Sequence, residues 1–174
     1  MFVKISRSFK FFLLGILLLL LVSCSLKKLS LNQDVTFKLP SDIKRISKEE
    51  LDKNTKSYQA ADNFFVYKGI FLALGINTDS RLEAMTLERH LAVLKYDWRD
   101  LVKIESLEIR TVKGERFIVM DHYNPRKQLN VYTFFNDHER NRIVVSGFIQ
   151  YDKATQKNDA DKLLEVVLSS LKGK

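Results

Sequence analysis

Four stretches of alternating apolar and polar residues between Leu107 and Tyr151 constrain the fold of this chain most. Alternation is the pattern of a β-strand that buries one of its faces. Only short polar turns separate the stretches, and such connections favour antiparallel hairpins over parallel crossovers. The sequence therefore predicts a four-stranded antiparallel meander, with strands at 107–110, 117–123, 129–135 and 142–151.

Apolar stripes at helical spacing lie before and after this meander, which predicts a helix on each side of it. The first helix is predicted to begin at a cap on Asp79 or Ser80 and to end near Trp98. The second is predicted to begin at Asn158 or Asp159 and to close the chain. The first stripe comprises Ala84, Leu87, Leu91, Leu94 and Trp98, and the second comprises Ala160, Leu163, Leu164, Val167, Leu168 and Leu171.

The segment before the first helix contains two further predicted strands. Residues 35–39 alternate apolar and polar side chains, which predicts the first strand. Residues 63–74 are rich in aromatic and aliphatic side chains and predict a single strand with a bulge at Gly69. Between the strands, residues 43–46 predict a helical turn, and a capping-box pattern predicts a short helix over 47–53.

The last meander strand is apolar on both faces, since Val144 and Phe148 alternate with Val145 and Ile149. A sheet with two apolar faces needs cover on both of them. We therefore predict an α+β fold, an α/β/α sandwich in which a twisted antiparallel sheet is flanked by the two long helices. Residues 35–174 are predicted to form this single globular domain, a length sufficient for one hydrophobic core.

The first 24 residues differ in character from the rest. Three cations lie within residues 1–10, and residues 11–22 form an unbroken apolar run. A run of 12 residues is shorter than the ~20 that a membrane-spanning helix needs, and it matches the core of a signal peptide. The one cysteine of the chain, Cys24, follows this region, so no intramolecular disulfide can form.

Leu21, Val22, Ser23 and Cys24 resemble the lipobox of bacterial lipoproteins. The resemblance implies that a lipid carrying fatty acids such as palmitate is attached to the Cys24 sulfur. It also implies that the signal peptide, residues 1–23, is removed and that the protein is anchored in a bacterial membrane, facing the periplasm. The alternative is an uncleaved N-terminal anchor helix.

The same resemblance implies that residues 24–34 act as a lipidated tether. Ser25 occupies the position where an aspartate retains enterobacterial-type lipoproteins in the inner membrane, so it slightly favours the outer membrane. Lys27 and Lys28 are placed to rest on anionic headgroups, at about 1 kcal/mol each. Two or three acyl chains together hold a protein at a membrane, where one alone does not.

The formal charge is +8, and loss of the three cations in residues 1–23 lowers it to +5. This mild excess favours an anionic lipid, a cell-wall polymer or an acidic protein as partner over a neutral one. The ordinary interpretation is a lysine-rich soluble surface. Nucleic acid is not expected as a partner, because the chain leaves the cytoplasm. The candidates for partner contact at the meander turns are Arg126, Lys127, Arg140 and Arg142.

The order of elements resembles that of the PsbP-like fold, which photosystem II PsbP shares with DcrB-like bacterial lipoproteins. The resemblance spans residues 35–171. It is carried by Val35–Pro40, the helix before the meander, the Val112–Glu115 turn and the closing helix over Ala160–Leu171. It implies an accessory or binding subunit rather than an established enzyme, and it carries over no catalytic or ligand-binding residue.

Three histidines are candidates for metal binding or acid–base chemistry, and His122 and His138 each follow an aspartate. If residues 125–126 centre the turn between the second and third meander strands, His122 lies opposite about Asn130. His138 is then roughly 26 Å away, at ~3.3 Å per residue along the strand. The third histidine, His90, lies on the first helix. Zinc ligands all lie ~2 Å from one ion, so we expect no metal site.

No other pattern of catalytic residues stands out. Ser146–Gly147 lacks the preceding glycine of a nucleophile elbow, and the six glycines form no phosphate-binding loop. We therefore expect no catalytic residues and no cofactor. The leading hypothesis is a non-enzymatic binding or accessory module of the bacterial envelope. An immunity or inhibitor lipoprotein and a cell-wall-directed enzyme are the alternatives.

Overall fold

The computed structural model describes residues 26–31, 35–47, 50–51, 61–77, 85–136 and 144–173. The strands in these ranges are β1 Leu26–Ser30, β2 Val35–Pro40, β3 Lys44–Ile46, β4 Asn63–Tyr67, β5 Ile70–Asn77, β6 Lys103–Val112, β7 Glu115–Asn124, β8 Leu129–Asn136, β9 Val144–Tyr151 and β10 Lys172–Gly173. The helices in these ranges are α1 Leu87–Trp98 and α2 Lys153–Ser170.

A seven-stranded antiparallel sheet forms the centre of the fold, in the order β3-β4-β5-β9-β8-β7-β6. The predicted meander is confirmed as β6 to β9, because each of these strands pairs with the next along the chain. Strand β5 pairs with β9, from Phe71 opposite Gln150 to Asn77 opposite Val144. This pairing joins the N-terminal strands to the meander in one continuous sheet.

A second, three-stranded sheet has the order β1-β2-β10. Strand β2 confirms the strand predicted over 35–39. Strand β1 lies within residues 24–34, which the sequence predicts as a tether, and it pairs antiparallel with β2. The pairing with β2 is supported by two side chains: Leu29 packs against the core, and Lys27 Nζ donates a 2.7 Å hydrogen bond to the Ile43 carbonyl. The paired part of the chain thus begins before the predicted domain boundary.

Helix α2 and the three-stranded sheet cover one face of the seven-stranded sheet, which we call the α2 face. The helix begins after Asp152, whose carboxylate accepts from the backbone N–H groups of Ala154 and Thr155 at 2.7 and 3.3 Å. The cap predicted at Asn158 or Asp159 is therefore wrong, because Asp152 caps the helix earlier. The predicted stripe is confirmed by the burial of Ala160, Leu163, Leu164, Val167 and Leu168.

Helix α1 packs on β6, β7 and β8 on the opposite side, which we call the α1 face. It begins after Thr86, whose Oγ1 accepts a 3.2 Å hydrogen bond from the Arg89 N–H. The cap predicted at Asp79 or Ser80 is wrong for this helix, because Thr86 supplies its own cap closer to the first buried leucine. Those two residues and Ala84 lie outside the described residues. The rest of the stripe is confirmed at Leu87, Leu91, Leu94 and Trp98.

Residues 63–74 form a hairpin rather than the single bulged strand that the sequence predicts. Strands β4 and β5 pair around Lys68 and Gly69, which have φ angles of 49° and 78°. Two successive positive φ angles are typical of a type I′ turn, whose twist matches that of paired strands. Gly69 therefore reverses the chain, and β5 extends past residue 74, the predicted end of the strand, as far as Asn77.

The segment between β2 and β4 also differs from the prediction. Residues 44–46 pair with β4 as strand β3, where the sequence predicts a helical turn. The capping-box bonds are present: the Ser47 N–H donates to Glu50 Oε2 at 2.6 Å, and the Glu50 N–H donates to Ser47 Oγ at 3.3 Å. Most of the short helix predicted over 47–53 lies outside the described residues.

The α+β class and the antiparallel sheet are therefore confirmed. The predicted α/β/α sandwich is confirmed only in outline. On the α2 face, a three-stranded sheet shares the cover with the helix. On the α1 face, helix α1 packs over the β6–β8 half of the sheet, and a separate apolar cluster lies over β4, β5 and β9.

Candidate functional site

The predicted lipidation site, Cys24, and the lipobox residues Leu21, Val22 and Ser23 lie outside the described residues. The nearest described element is β1, which begins two residues after Cys24 at Leu26. Successive side chains of a strand point to opposite sides, so Lys27 points to the core side and Lys28 to the outside. Lys28 is thus the lysine of this pair that a membrane surface can reach.

Arg126 and Lys127 lie in the turn between β7 and β8. Asn124 Oδ1 accepts hydrogen bonds from both of their backbone N–H groups, at 3.1 and 3.2 Å. The other two predicted contact residues, Arg140 and Arg142, lie outside the described residues.

Asp121 and His122 are neighbours in the chain and lie on opposite faces of β7. Asp121 points to the α2 face, where it meets the last meander strand. His122 points to the α1 face, where its ring packs edge-on against Trp98 at a centroid distance of 5.3 Å. His122 lies opposite Val131 and not Asn130, a shift of one residue from the predicted register. The two side chains therefore do not meet, as a shared acid–base or metal site would require.

His122 is buried, at 2 % exposure, and burial lowers its pKa to about 4. Its Nδ1 has no hydrogen-bond partner within the described part of the chain. His90 is also buried, with its ring 5.1 Å from that of Phe135, and His138 lies outside the described residues. In the ranges that the structure describes, no three His, Cys, Asp or Glu side chains are grouped as metal ligands. The expected absence of a metal site stays a prediction.

A polar network occupies the α2 face beneath the N-terminal half of α2; its strand residues are buried, and its helix residues Lys157 and Asp161 are partly exposed. The Tyr151 hydroxyl donates to the carboxylate of Asp121, whose two oxygens lie 2.9 and 3.0 Å away. Tyr151 stacks on Tyr132, with ring centroids 5.1 Å apart. The Tyr132 hydroxyl donates to Asp161 and accepts from the Lys157 ammonium group. The network thereby ties β7, β8 and β9 to the helix.

The charges of this network follow from burial and from its hydrogen bonds. Burial raises the pKa of Asp121, and the bond from Tyr151 only partly offsets this effect. Burial and the neighbouring Asp121 charge raise the pKa of Tyr151, so the phenol keeps its proton. Burial opposes ionisation of Lys157 and Asp161, but their mutual 2.6 Å bond, their bonds to Tyr132 and their opposite charges together outweigh it: the pKa of Lys157 is raised and that of Asp161 is lowered.

The members of this network are bonded or stacked on one another. Asn130 lies beside them and lowers the pKa of Asp121 through its amide, although its Nδ2 makes no hydrogen bond of good geometry to a described residue. Buried polar groups that satisfy one another make a core rigid. The arrangement therefore holds α2 on the sheet. Sequence reasoning missed the network because its members come from three strands and a helix.

A groove of about 570 Å³ runs between α1 and the outer strand β6, lined by Leu91, Lys95, Arg99 and residues 102–107. Tyr96 and Leu101, next to lining residues in the chain, are 65 % and 69 % exposed. Strand β6 ends the sheet, so one of its edges has no strand partner within the described residues. We call this groove, together with Tyr96 and Leu101, the α1–β6 surface.

Sequence reasoning also missed the α1–β6 surface. The available signal was Tyr96, a large exposed aromatic residue outside the buried stripe of α1. Isolated exposed apolar residues are common, so this signal alone does not identify an interaction surface. Neither of the described helices is both long and apolar enough to span a membrane.

The fold is similar to that of a solved cyanobacterial protein. The solution structure of cyanobacterial PsbP, CyanoP, from Synechocystis sp. matches with a TM-score of 0.56 at 12 % identity, over 87 % of this chain and 94 % of that one. A crystal structure of PA94, a Pseudomonas aeruginosa protein of unknown function, matches with a TM-score of 0.45 at 8 % identity, over 82 % of this chain and 95 % of that one. No family model and no curated protein sequence matches the chain significantly.

The CyanoP match confirms the predicted PsbP-like fold. Its 12 % identity is too low to carry over a residue or an activity, so the likeness is one of architecture alone. Function has to be argued from the surfaces and side chains of this chain.

Proposed function

We propose that this protein is a lipid-anchored accessory module of the bacterial envelope that binds a protein partner and catalyses no reaction. The observation that carries the proposal is the α1–β6 surface, which combines a groove, exposed apolar side chains and an outer strand. Exposed apolar residues around a groove mark interaction surfaces. A strand edge without a partner is a template onto which another protein can add a strand.

The charge of the groove favours an acidic partner segment. Lys95, Arg99 and Lys103 line it together with one carboxylate, that of Glu105. Arg99 is paired with Asp100 and Glu105 with Lys153, so the excess positive charge of the lining comes from Lys95 and Lys103. Complementary charge speeds association and selects among partners. We therefore propose an extended, acidic segment of an envelope protein as the occupant of the α1–β6 surface.

The proposed anchor is a lipid on Cys24. Because β1 begins at Leu26, only Ser25 separates the anchor from the paired part of the chain, and two extended residues span about 7 Å. The domain is thereby held at the membrane surface, facing the periplasm, and not at the end of a long tether. Ser25 slightly favours the outer membrane.

The interior of the domain supports a non-enzymatic role. A general acid or base has to reach its substrate within hydrogen-bond distance. Asp121 and Tyr151 instead bond to each other across the sheet, and Lys157 bonds to Tyr132 of β8 and to Asp161 of its own helix. Their perturbed pKa values are those of a structural network that fixes α2.

Metabolic labelling with an alkyne fatty acid tests the anchor. We expect Cys24→Ala to lose the label and to accumulate as the uncleaved precursor, because the lipid is attached to the Cys24 sulfur before cleavage. The matched variant Ser25→Ala should be labelled and cleaved like the wild type. Label retained on Cys24→Ala would contradict attachment at Cys24.

Site-specific photo-crosslinking in bacterial membranes tests the α1–β6 surface. A photoreactive residue in place of Tyr96 should give a discrete adduct with one protein, whereas the same group in place of Lys162, an exposed residue of α2, should give none. Adding Leu101→Asp should abolish the Tyr96 adduct, because it buries an unpaired charge in the contact. Equal adducts from both positions, or none from Tyr96, would contradict the proposal.

A further inference from the structure

A basic pocket of about 500 Å³ lies where the three-stranded sheet meets the C-terminal end of α2 and the β6–β7 turn. It is separate from the α1–β6 surface. No aspartate or glutamate is among the described residues that line it. Leu26 and Phe37 are its apolar lining residues, and its polar ones are Lys28, Thr36, Lys38, Lys113, Ser169 and Ser170.

Lys28 and Lys38 stand directly opposite each other on β1 and β2. Ser170 Oγ accepts a 2.9 Å hydrogen bond from the Lys38 N–H and donates a 3.1 Å bond to the Lys38 carbonyl. Both backbone groups of Lys38 therefore point away from β1, which makes the two lysines a non-hydrogen-bonded pair. Side chains come closest in such pairs, and like charges directly opposite destabilise a sheet. An anion between the two ammonium groups would remove this repulsion.

Lys113 brings a third positive charge from the seven-stranded sheet. It lies in the β6–β7 turn before Gly114, and the two residues have φ angles of 51° and 86°. A positive φ is unfavourable for lysine, because the Cβ atom crowds the backbone in that region.

The other Lys-Gly turn provides a comparison within the same chain. Lys68 precedes Gly69 with nearly the same φ angles, and its Nζ lies 3.0 Å from Asp159 Oδ1. Lys113 has no such ion pair with a described residue, and neither have Lys28 and Lys38. The charge of Lys68 is thus compensated by an ion pair within the protein, whereas Lys113 lines a pocket without such a pair among the described residues.

We propose that this pocket binds the phosphate of an anionic phospholipid headgroup. Lys28, Lys38 and Lys113 supply three positive charges, and Thr36 adds a hydroxyl that can donate to a phosphate oxygen. Leu26, 43 % exposed at the edge of the pocket, offers an apolar contact to the acyl boundary. The proposal rests on the proposed lipid anchor, which holds β1 at the membrane, for the source of the phosphate.

The C-terminal end of α2 offers another explanation for the three lysines. Cations stabilise the negative end of a helix dipole, and Ser169 and Ser170 lie at that end. This interaction would stabilise the fold but would confer no preference between phospholipids. Lipid selectivity therefore separates the two explanations.

Native mass spectrometry of the full-length protein, released from mixed detergent micelles, measures that selectivity. The micelles hold equal amounts of phosphatidylglycerol and phosphatidylcholine, which share a phosphodiester and differ in net charge. We expect phosphatidylglycerol adducts to exceed phosphatidylcholine adducts by about tenfold or more. Each of Lys28→Gln, Lys38→Gln and Lys113→Gln should lower this ratio by about fivefold. Lys68→Gln, the matched control, should leave it unchanged.

Three results would overturn the proposal. Equal adducts of both lipids on the wild type would leave the helix dipole as the explanation of the lysines. An equal loss in Lys68→Gln would assign the preference to net charge rather than to the pocket. Full displacement of phosphatidylglycerol by millimolar inorganic phosphate would make the ligand a free phosphate. Each could occur with Cys24 still labelled by fatty acid and Tyr96 still crosslinked, so failure here is distinguishable from failure of the proposed function.

Discussion

The two faces of the central sheet differ most clearly at Asp121 and His122, which are neighbours on β7. Asp121 belongs to a hydrogen-bonded network under α2, whereas His122 packs against Trp98 of α1. Burial raises the pKa of Asp121 and lowers the pKa of His122. In both cases burial favours the neutral form. A fall in pH protonates both side chains, which makes Asp121 neutral and gives His122 a charge, so its effects on the stability of the folded state are opposite at the two residues.

The two faces of the sheet also differ in how their apolar residues pack. The apolar residues of the α2 face form one continuous core, shared by α2, the small sheet and the large sheet. Those of the α1 face divide into one cluster under α1 and another around Phe64, Phe71 and Phe148. We infer that the α2 face supplies most of the stability and that the α1 face is available for contact with a partner.

Truncation of one leucine on each helix tests this division. Leu164 of α2 is 1 % exposed within the continuous core, whereas Leu91 of α1 is partly buried and lines the groove. We expect Leu164→Ala to lower the free energy of unfolding by about 2 to 5 kcal/mol, and Leu91→Ala by about 1 kcal/mol. Denaturant unfolding of a chain that begins at Ser25 and so retains β1 measures both. Equal losses would show that the two faces contribute alike.

Acid should destabilise the protein through His122. Its pKa is about 4 in the folded state against an ordinary value of 6.5. Between these values the unfolded chain binds the proton and the folded one does not. The stability from neutral His122 is therefore complete above pH 6.5 and is lost as the pH falls toward 4. The difference corresponds to roughly 3 kcal/mol.

A variant that cannot titrate provides the control for this effect. Relative to His122→Gln, the wild type should lose stability in denaturant unfolding as the pH is lowered from 6.5 to 4. Identical pH profiles would mean that the ring is protonated in the folded state. In that case burial on the α1 face would not disfavour the charged form of His122, and the proposed contrast with Asp121 would be wrong.

The sequence predicts best the elements whose apolar pattern is long and regular. Strands β7, β8 and β9 and the stripe of α2 lie where the pattern puts them, because burial repeats every two residues on a strand and every three or four on a helix. Strand β1 is different. Leu26–Ser30 contains two lysines, and its pairing with β2 makes it a strand. The pairing of β1 with β2 cannot be predicted from the sequence of residues 26–30 alone.

The candidate sites were less predictable than the fold. Adjacent Asp121 and His122 suggest paired chemistry, but a strand directs neighbours to opposite faces. The hydrogen-bond partner of Asp121 is Tyr151, two strands away in the sheet order, with no local signal. The basic pocket likewise depends on the opposition of Lys28 and Lys38, which register alone determines.

Addition of one methyl group at Gly147 tests how tightly the α2 face is packed. A Cβ atom there would lie 2.4 Å from Phe134 Cζ and 2.7 Å from Leu74 Cδ2. We expect Gly147→Ala to lower the free energy of unfolding by about 1 to 3 kcal/mol, because the core has no room for the methyl group. Gly114→Ala, with no atom within 4 Å but a φ of +86°, should cost about 1 kcal/mol from the backbone alone. Denaturant unfolding compares them, and a loss no larger at Gly147 would indicate a loosely packed face.

The smallest effect is expected at Asp121, where the sign is more informative than the size. Asparagine keeps an oxygen that can accept the Tyr151 hydroxyl proton, and it removes the charge that burial disfavours. Near neutral pH, the loss of a charged hydrogen bond and the relief of a buried charge oppose each other. We therefore expect Asp121→Asn to change the free energy of unfolding by less than about 1 kcal/mol.

The pH dependence of Asp121→Asn is the sharper measurement. Because burial raises the folded-state pKa of Asp121 above its ordinary 3.8, the folded protein binds this proton more readily than the unfolded chain. The resulting stability is complete below pH 3.8 and is lost as the pH rises through the folded-state value. The wild type should therefore lose stability relative to Asp121→Asn on raising the pH, the reverse of its behaviour relative to His122→Gln. If both differences ran in the same direction, the Asp121 carboxylate would be stabilised in its charged form. Burial would then not favour the neutral form of Asp121 on the α2 face, and the opposite pH dependences of Asp121 and His122 would not distinguish the two faces.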